Sequence, residues 1–418
     1  MRVSLVLLLI FVVGAPCAFA EEEAPAGKSG FTNNATGLGP TSVPAALLEA
    51  DEPKQPLIRF AAFDRALKPW FDWKGRLAKR HGFQFGLDWH GLYNRFDQAP
   101  VEDEAAGGVF RLYGDWTLLN RCQPGCEGSL VWKVEYRDTL GTDLAPQDLG
   151  FANGYAGIPG TFFGDFGWAL TNLYWKQRFA GGRAAVVIGQ VDATDYLDVV
   201  GIGNPFTWFS NLSILVNPAM VLPNQGLGAA ATWRFQNNLY VVAGVADANA
   251  LPTRDGFQTF VSGETFKHVE LGWSCPGIQH FLKNIHVVLW HQDALSELAV
   301  PEAWGWAVSG ITTWGRDRFV GAFRVGWSSD AAPISERHAS VLLGHHVRTR
   351  GDIVGLGLAW DDVWGQAQED QISTELFWRL VVAENIQLTP SLQWLRNPAF
   401  DPTQREIWSL GLRVRLTL

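Results

Sequence analysis

The chain has 418 residues, with 33 Lys and Arg against 42 Asp and Glu, a formal net charge of −9. That balance excludes a binder that grips nucleic acid by neutralising phosphates. Gly 44, Phe 26 and Trp 20 against Met 2 suit β-structure with aromatic belts, not a helical bundle, a coiled coil or a disordered chain.

Residues 1–20 have the form of a secretory signal peptide. Arg2 supplies the basic start, Leu5 to Val13 an apolar core, and Ala18-Phe19-Ala20 a small-x-small site, so cleavage is expected after Ala20. The apolar core, interrupted by Gly14 and Pro16, is too short to cross ~30 Å of hydrocarbon. Beyond it no stretch approaches about 18 consecutive apolar residues. That leaves a soluble exported protein or a membrane β-barrel. Residues 21–68, rich in Ala, Pro, Gly, Thr and Glu with no sustained period, read as a flexible N-terminal extension. The segment 69–82 follows as a short helix, amphipathic over Phe71 to Gly82, with Gly82 as its stop.

From Phe83 onward the period becomes two. Phe83, Phe85, Leu87 and Trp89 alternate with Gln84, Gly86, Asp88 and His90, and near the end Leu410, Leu412, Val414 and Leu416 alternate with Gly411, Arg413, Arg415 and Thr417. A strand presents one face per parity, so each segment has a greasy side and a polar side. The segmentation gives strands near 83–96, 108–119, 129–140, 166–180, 183–192, 226–235, 239–247, 268–275, 284–293, 304–315, 319–328, 339–347, 353–360, 371–382, 386–395 and 406–418. Most are 8 to 14 residues long, whereas soluble strands run to about 5–6 and outer-membrane strands to about 9–11. Short links such as Gly181-Gly182 and Ala383 to Asn385 alternate with long ones such as 141–165, 193–225 and 247–267. This alternation is the pattern of periplasmic turns against outer loops. The expected fold is all-β: a transmembrane antiparallel barrel of about sixteen strands over 83–418, closed because an open edge in hydrocarbon strands its backbone polar groups. A barrel of that size is too wide for its own wall side chains to fill, so a water-holding pore is expected.

The polar parity carries Arg111, Lys133, Arg137, Lys176, Arg178, Arg234, Arg324, Arg379, Arg413 and Arg415 against Asp88, Asp115, Glu135, Glu270 and Glu375. The wall is thus basic although the chain is acidic. Such a lumen suits either anions or sugar hydroxyls held by charged side chains. The link 193–225 carries Tyr196, Phe206, Trp208 and Phe209 beside Asp195, Asp198, Asn204 and Asn211. Folded inward, it would narrow the pore with aromatic and hydrogen-bonding groups; otherwise its rings would pack on the rim. Cys122 and Cys126, in RCQPGCE, suit a small disulfide loop across a turn, with metal binding the weaker alternative because no second Cys/His pair sits at finger spacing.

Several stretches resemble the OprB family of carbohydrate-selective outer-membrane porins. They are NPAMVLPNQGLGAAATWRFQNNLYVVAGVADAN (217–249), LYWKQRF (173–179), GRAAVVIGQVDATDYLD (182–198), WHQD (290–293) and the C-terminal NIQLTPSLQWLRNPAFDP with WSLGLRVRLTL. WFDWKGRL (70–77) is similar to the family's N-terminal element, and the resemblance runs over roughly 69–418. It implies a sixteen-stranded barrel in the outer membrane of a Gram-negative bacterium, working as a monomer or a trimer. Through it mono- and small oligosaccharides would diffuse passively into the periplasm, with no cofactor and no nucleic-acid partner. Glu135, Arg137, Asp192 and Arg324 are carried over as pore-lining contacts. The chain departs from the pattern in ending on Leu418, not an aromatic residue, and in the extension 21–68, which has no counterpart. The alternatives are an anion-preferring or general diffusion porin, an outer-membrane enzyme and an adhesive barrel. Against an enzyme, the sequence holds no G-x-S-x-G, H-E-x-x-H, P-loop or EF-hand pattern, and adjacent His345 and His346 point to opposite faces.

Overall fold

The computed structural model describes residues 39–418 except 52–53, 158, 255, 276–281, 349–350 and 368. The signal peptide expected over 1–20 lies outside them.

Sixteen strands form one antiparallel meander. The first eight are β1 (Phe83–Phe96), β2 (Glu104–Leu119), β3 (Gly128–Thr139), β4 (Gly167–Phe179), β5 (Ala184–Val191), β6 (Gly226–Arg234), β7 (Leu239–Asp247) and β8 (Thr265–Ser274). The second eight are β9 (Asn284–Gln292), β10 (Ala303–Trp314), β11 (Phe319–Ser328), β12 (Ser335–His346), β13 (Ile353–Val363), β14 (Gln371–Ala383), β15 (Ile386–Arg396) and β16 (Glu406–Thr417). Each strand pairs with its neighbours in sequence, and β16 returns to pair with β1 from Asp88↔Thr417 to Phe96↔Ser409. Closure leaves no ladder edge unpaired, which is what a sheet facing hydrocarbon requires. Among the described residues no helix is long and apolar enough to cross a membrane.

The parity sorts as the sequence implies. On β16, Leu410 and Leu412 are 63% and 46% exposed while Arg413 and Arg415 are 3% and 2% exposed. Leu356, Leu358, Leu376 and Trp378 repeat that outward apolar face on β13 and β14. Short links gather at the end of the barrel where β16 finishes (the turn end), and long links at the other (the loop end).

Two features depart from the sequence expectation. First, the region before the barrel is not a plain extension followed by a helix at 69. A helix, α1 (Val43–Asp51), lies inside the barrel, and a second, α2 (Ala61–His81), already begins at Ala61 and carries Pro69 within it. Ser42 starts α1 by accepting the Ala45 N–H at 3.4 Å, and Pro44 sits in the first turn, where no intrahelical N–H partner is needed. Val43, Ala46 and Leu47 form its buried stripe against Tyr113, Val131, Tyr174 and Val187 of the wall. Burying one such Val or Leu stabilises by about 1.5–3 kcal/mol, which the propensity of a nine-residue helix cannot match. Second, the lumen is filled by chain: α1 and the link between β5 and β6 occupy it, so inward side chains from β1 to β16 are buried.

Candidate functional site

The register builds the wall. On β1, β2 and β3, Asp88 lies beside Arg111 and Arg111 beside Glu135, while His90 on β1 faces Arg415 on β16. Unlike charges therefore meet across neighbouring strands. Arg111 grips Asp88 in a fork, with Nε to Oδ1 at 2.8 Å and Nη2 to Oδ2 at 2.5 Å. Such bidentate charge-assisted bonds fix orientation as well as adding energy. On β3, Arg137 donates through Nε and Nη2 to Glu135 Oε2 at 3.0 and 2.5 Å, and Lys133 lies 3.7 Å from Oε1. Lys176 holds Asp115 at 2.6 Å. All ten cations and five carboxylates expected on the inner wall face inward and are buried.

The link 193–225 folds into this wall and is pinned on opposite sides. Toward β14 and β16, Arg413 donates to the Pro205 and Trp208 carbonyls, both at 2.6 Å, and Arg379 to the Thr207 carbonyl at 2.9 Å. Glu375 on β14 accepts the Ser210 and Asn211 N–H groups and the Ser210 hydroxyl at 2.9–3.0 Å. Toward β8 to β11, Glu270 accepts the Asp198 N–H at 2.8 Å. Asp198 in turn sits 3.0 Å from His286 Nε2 and takes the Arg324 Nε–H at 3.1 Å. A folded loop leaves polar backbone inside the barrel, and each of these wall groups satisfies one such donor or acceptor.

Bare wall makes room for the loop's rings. A Cβ on Gly344 would stand 2.6 Å from Trp208, and one on Gly357 would stand 2.5 Å from Ile214 and 3.0 Å from Phe209. These inward glycines form a shallow floor under the aromatic segment. Phe206 points to the neighbouring wall of β1 and β2, with the Arg111 guanidinium 4.1 Å from its ring centroid and the His90 ring 4.3 Å away. Tyr196, Phe206, Trp208 and Phe209, which had a rim alternative on sequence grounds, are all buried in the lumen.

α1 closes the arrangement from the turn end. Glu49 pairs with Arg415 at 2.5 Å, Thr41 Oγ1 donates to Asp195 Oδ1 at 3.0 Å, and the Gly39 N–H donates to the Asp195 carbonyl. The Pro40 carbonyl accepts from Asn204 at 3.0 Å. Between Pro40, Thr41, Asp198, Val199 and Arg324 a cavity of about 30 Å³ remains, room for about one water molecule.

Of the four residues carried over from the family resemblance, Glu135 and Arg137 pair with each other on β3. Arg324 stands on β11 and holds Asp198. Asp192, just after β5, accepts from Gln225 at 2.6 Å and from Thr194 N–H at 3.0 Å, tying the two ends of the long link. They form two groups, one on the wall and one holding the loop. Missed in the sequence were the inward histidines His90, His268, His286 and His338, and Glu49 in the supposed extension. The histidines share the parity of the charged wall residues, a signal that was present. The Cys122–Cys126 disulfide is not formed: both thiols are free, Cys122 exposed and Cys126 half-buried. Hydrogen bonds hold that turn instead, from Gln123 N to the Asn120 carbonyl, Cys126 N to the Gln123 carbonyl, and Asn120 Nδ2 to the Cys126 carbonyl. Among the described residues no cluster of three or more metal-ligating side chains occurs.

Residues 159–341, which include the whole inward link, match a family model described as carbohydrate-selective porin, OprB family. No curated protein matches the chain. In structure it is similar to Pseudomonas putida OprB at high pH, with a TM-score of 0.67 at 15% identity over 84% of this chain and 97% of that one. The low-pH structure of Pseudomonas putida OprB gives 0.50 at 15% identity over 84% and 96%. A triple mutant of the Rh. blastica porin gives 0.51 at 11% identity over 80% and 100%. At these identities the structural likeness speaks for the fold, and the family model speaks for the loop-bearing middle of the barrel. Across residues 159–341 the chain is thus similar to the carbohydrate-selective porins of the OprB family, and its fold is that of a sixteen-stranded porin barrel.

Proposed function

We propose that mono- and small oligosaccharides diffuse passively through this barrel, across the outer membrane of a Gram-negative cell, with no cofactor and no covalent step. The observation that carries the reading is the family match lying over a wall of charged side chains narrowed by its own aromatic loop. Carboxylate and guanidinium pairs such as Glu135–Arg137 offer acceptors and donors to sugar hydroxyls. Weak contacts at several such places raise occupancy yet allow exit. We assign Glu135 and Arg137 to the solute path, and Asp192 and Arg324 to shaping the loop that narrows it. The chain acts as a channel, not as an enzyme.

We read the conformer with α1 docked as closed, because α1 and the inward link occupy the lumen. Conduction requires α1 to withdraw toward the turn end, where residues 54–60 connect it to α2. Planar-bilayer recording tests the whole reading. Glucose or maltose should block ion current in a concentration-dependent way while organic anions do not. Block by organic anions alone would transfer the chain to an anion pore.

A further inference from the structure

α2 presents a surface that the lumen does not account for. The strand-like strap before it donates the Leu57 and Ile58 N–H groups to the Val381 and Val382 carbonyls, at 2.9 and 3.0 Å, at the end of β14. Its other end turns into β1 through Gly82, which takes φ 67 as the left-handed cap. β14, β15, β16 and β1 are consecutive around the barrel, so α2 runs along the turn-end rim across several strands. It lies on the outside. Trp70 and Trp73 each meet the outward Phe85 ring edge-on at 5.7 Å, and Lys74 donates to the Leu418 carbonyl at 3.1 Å. Phe83 continues the same aromatic patch to Trp116 and Trp132 on the outer face of β2 and β3.

The helix is amphipathic in charge as well as in apolarity. It carries Arg65, Lys68, Lys74, Arg76, Lys79 and Arg80 against Asp64 and Asp72, within a chain of net charge −9. At about 100° per residue, Leu67, Trp70 and Leu77 fall on one arc and Arg65, Lys68, Arg76, Lys79 and Arg80 on the other, which also holds Asp72, 2.8 Å from Lys68, and so keeps a net excess of cations. Leu67, Trp70 and Leu77 are partly buried; Phe71 and Trp73 beside them stay 37% and 43% exposed. A helix with Trp and Phe on one face and Lys and Arg on the other, continuous with an outward apolar band, has the chemistry of an interfacial helix.

We propose that α2 lies in the headgroup layer at the turn end of the barrel and binds anionic phospholipid through Arg65, Lys68, Arg76, Lys79 and Arg80. The partner is the bilayer's own leaflet, selected by the sign of the cationic arc and by continuity with the barrel's outer aromatic patch. The inference rests on the membrane-porin reading above. Anchored this way, α2 fixes the outer end of the strap that leads to α1.

The test uses the full chain in bilayer nanodiscs of equal phosphatidylglycerol and phosphatidylcholine, released into native mass spectrometry to count retained lipids. The wild type should retain phosphatidylglycerol in preference to phosphatidylcholine, with the preference fading in high salt as the charges are screened. The variant R65Q/K68Q/R76Q/K79Q/R80Q should lose at least about fivefold of that preference. A control, K267Q/R337Q, removes exposed loop-end cations and should keep it. Unchanged heat-modifiable mobility on gels shows that the barrels are folded. Equal retention of both lipids by the wild type would overturn the proposal, as would full preference in the five-site variant. A protein or second copy lost from that variant with phosphatidylglycerol retention intact would overturn it too. A chain that enters neither lipid would sink the porin reading itself, whereas insertion without lipid preference sinks only the role of α2.

Discussion

Glu49 on α1 and Arg415 on β16 stand 366 residues apart in sequence and meet at 2.5 Å on the inner wall. Burial on its own would raise the Glu49 carboxyl, but Arg415, with Lys54 and Arg379 adding to it, outweighs burial and holds the group at about 2. Arg415 is 2% exposed, and its other carboxylate neighbour, Asp88, is 3.9 Å away and already forked by Arg111. Glu49→Gln therefore leaves a buried guanidinium with little in exchange, a cost of about 1–3 kcal/mol to docking of α1. Roughly tenfold more frequent opening is expected in planar bilayers. Opening statistics identical to the wild type would show that this pair does not hold the helix.

The second contact of this segment makes closure depend on pH. Burial raises the Asp195 carboxyl to about 7, with Lys133 pulling against it and Asp192 adding to it. Thr41 and Gly39 cover Asp195, and although the Thr41 hydrogen bond by itself lowers the carboxyl, burial is the larger effect, so water admitted by withdrawal of α1 returns Asp195 toward the ordinary aspartate value near 3.8. The docked state then binds a proton that the undocked state releases. Its contribution to closure is complete below the ordinary value and fades as pH rises through about 7. Glu49 stays ionised throughout this window and adds no slope. Open probability should climb between about pH 5.5 and about pH 7 and level off above it, and Asp195→Asn should flatten the climb. A flat profile in the wild type would refute the mechanism.

Most of the barrel was legible because side-chain parity is a local property. Leu412 and Arg413 announce their faces from adjacent positions, and β1 and β7 fall on the residues where the alternation starts and stops. The wall charges followed from the same parity, and the length of the 193–225 link marked it as special. Its inward course was not legible. That course depends on Arg413, Arg379 and Glu375, which reach the loop from strands far downstream. α1 was invisible for the same reason. Its sequence has one short apolar stripe, Val43, Ala46 and Leu47, and no signal there says that Tyr113 and Tyr174 await it. The start of α2 was masked by Pro69, which the structure carries inside a longer helix.

The glycine floor gives a steric test of the loop's placement. Gly357→Val would put a Cβ 2.5 Å from Ile214 and 3.0 Å from Phe209, with two further methyl carbons to house. Overpacking of this kind costs about 1–3 kcal/mol. The strand itself gains from a β-branched residue, so the barrel should assemble and the loop should lift. Larger single-channel conductance with weaker sugar block is the expected result, and unchanged block would mean that the loop does not set the constriction.

Cys122 should react with a maleimide in the folded, unreduced protein, because its thiol is exposed and unpaired. Thermal stability should not change in Cys122→Ser with Cys126→Ser, since backbone hydrogen bonds close that turn. Labelling that appears only after reduction would restore the disulfide.

Arg324 offers the sharpest separation of loop from wall. It donates to Asp198 Oδ2 at 3.1 Å and to the Ile214 carbonyl at 3.4 Å, so a single guanidinium reaches both limbs of the inward loop. Arg324→Met keeps most of the side-chain volume but strips the buried Asp198 carboxylate of its guanidinium partner. Removing one member of a buried ion pair costs about 3–5 kcal/mol, and here the chain can escape that cost by releasing the loop. Chymotrypsin should then cut at Phe206, Trp208 or Phe209 in a barrel that still shows heat-modifiable mobility, whereas the wild type resists. Adding Asp198→Asn removes the stranded charge and should restore most of the resistance. If the single variant resists cleavage as well as the wild type, the loop is held by its packing on Gly344 and Gly357 and not by this pair.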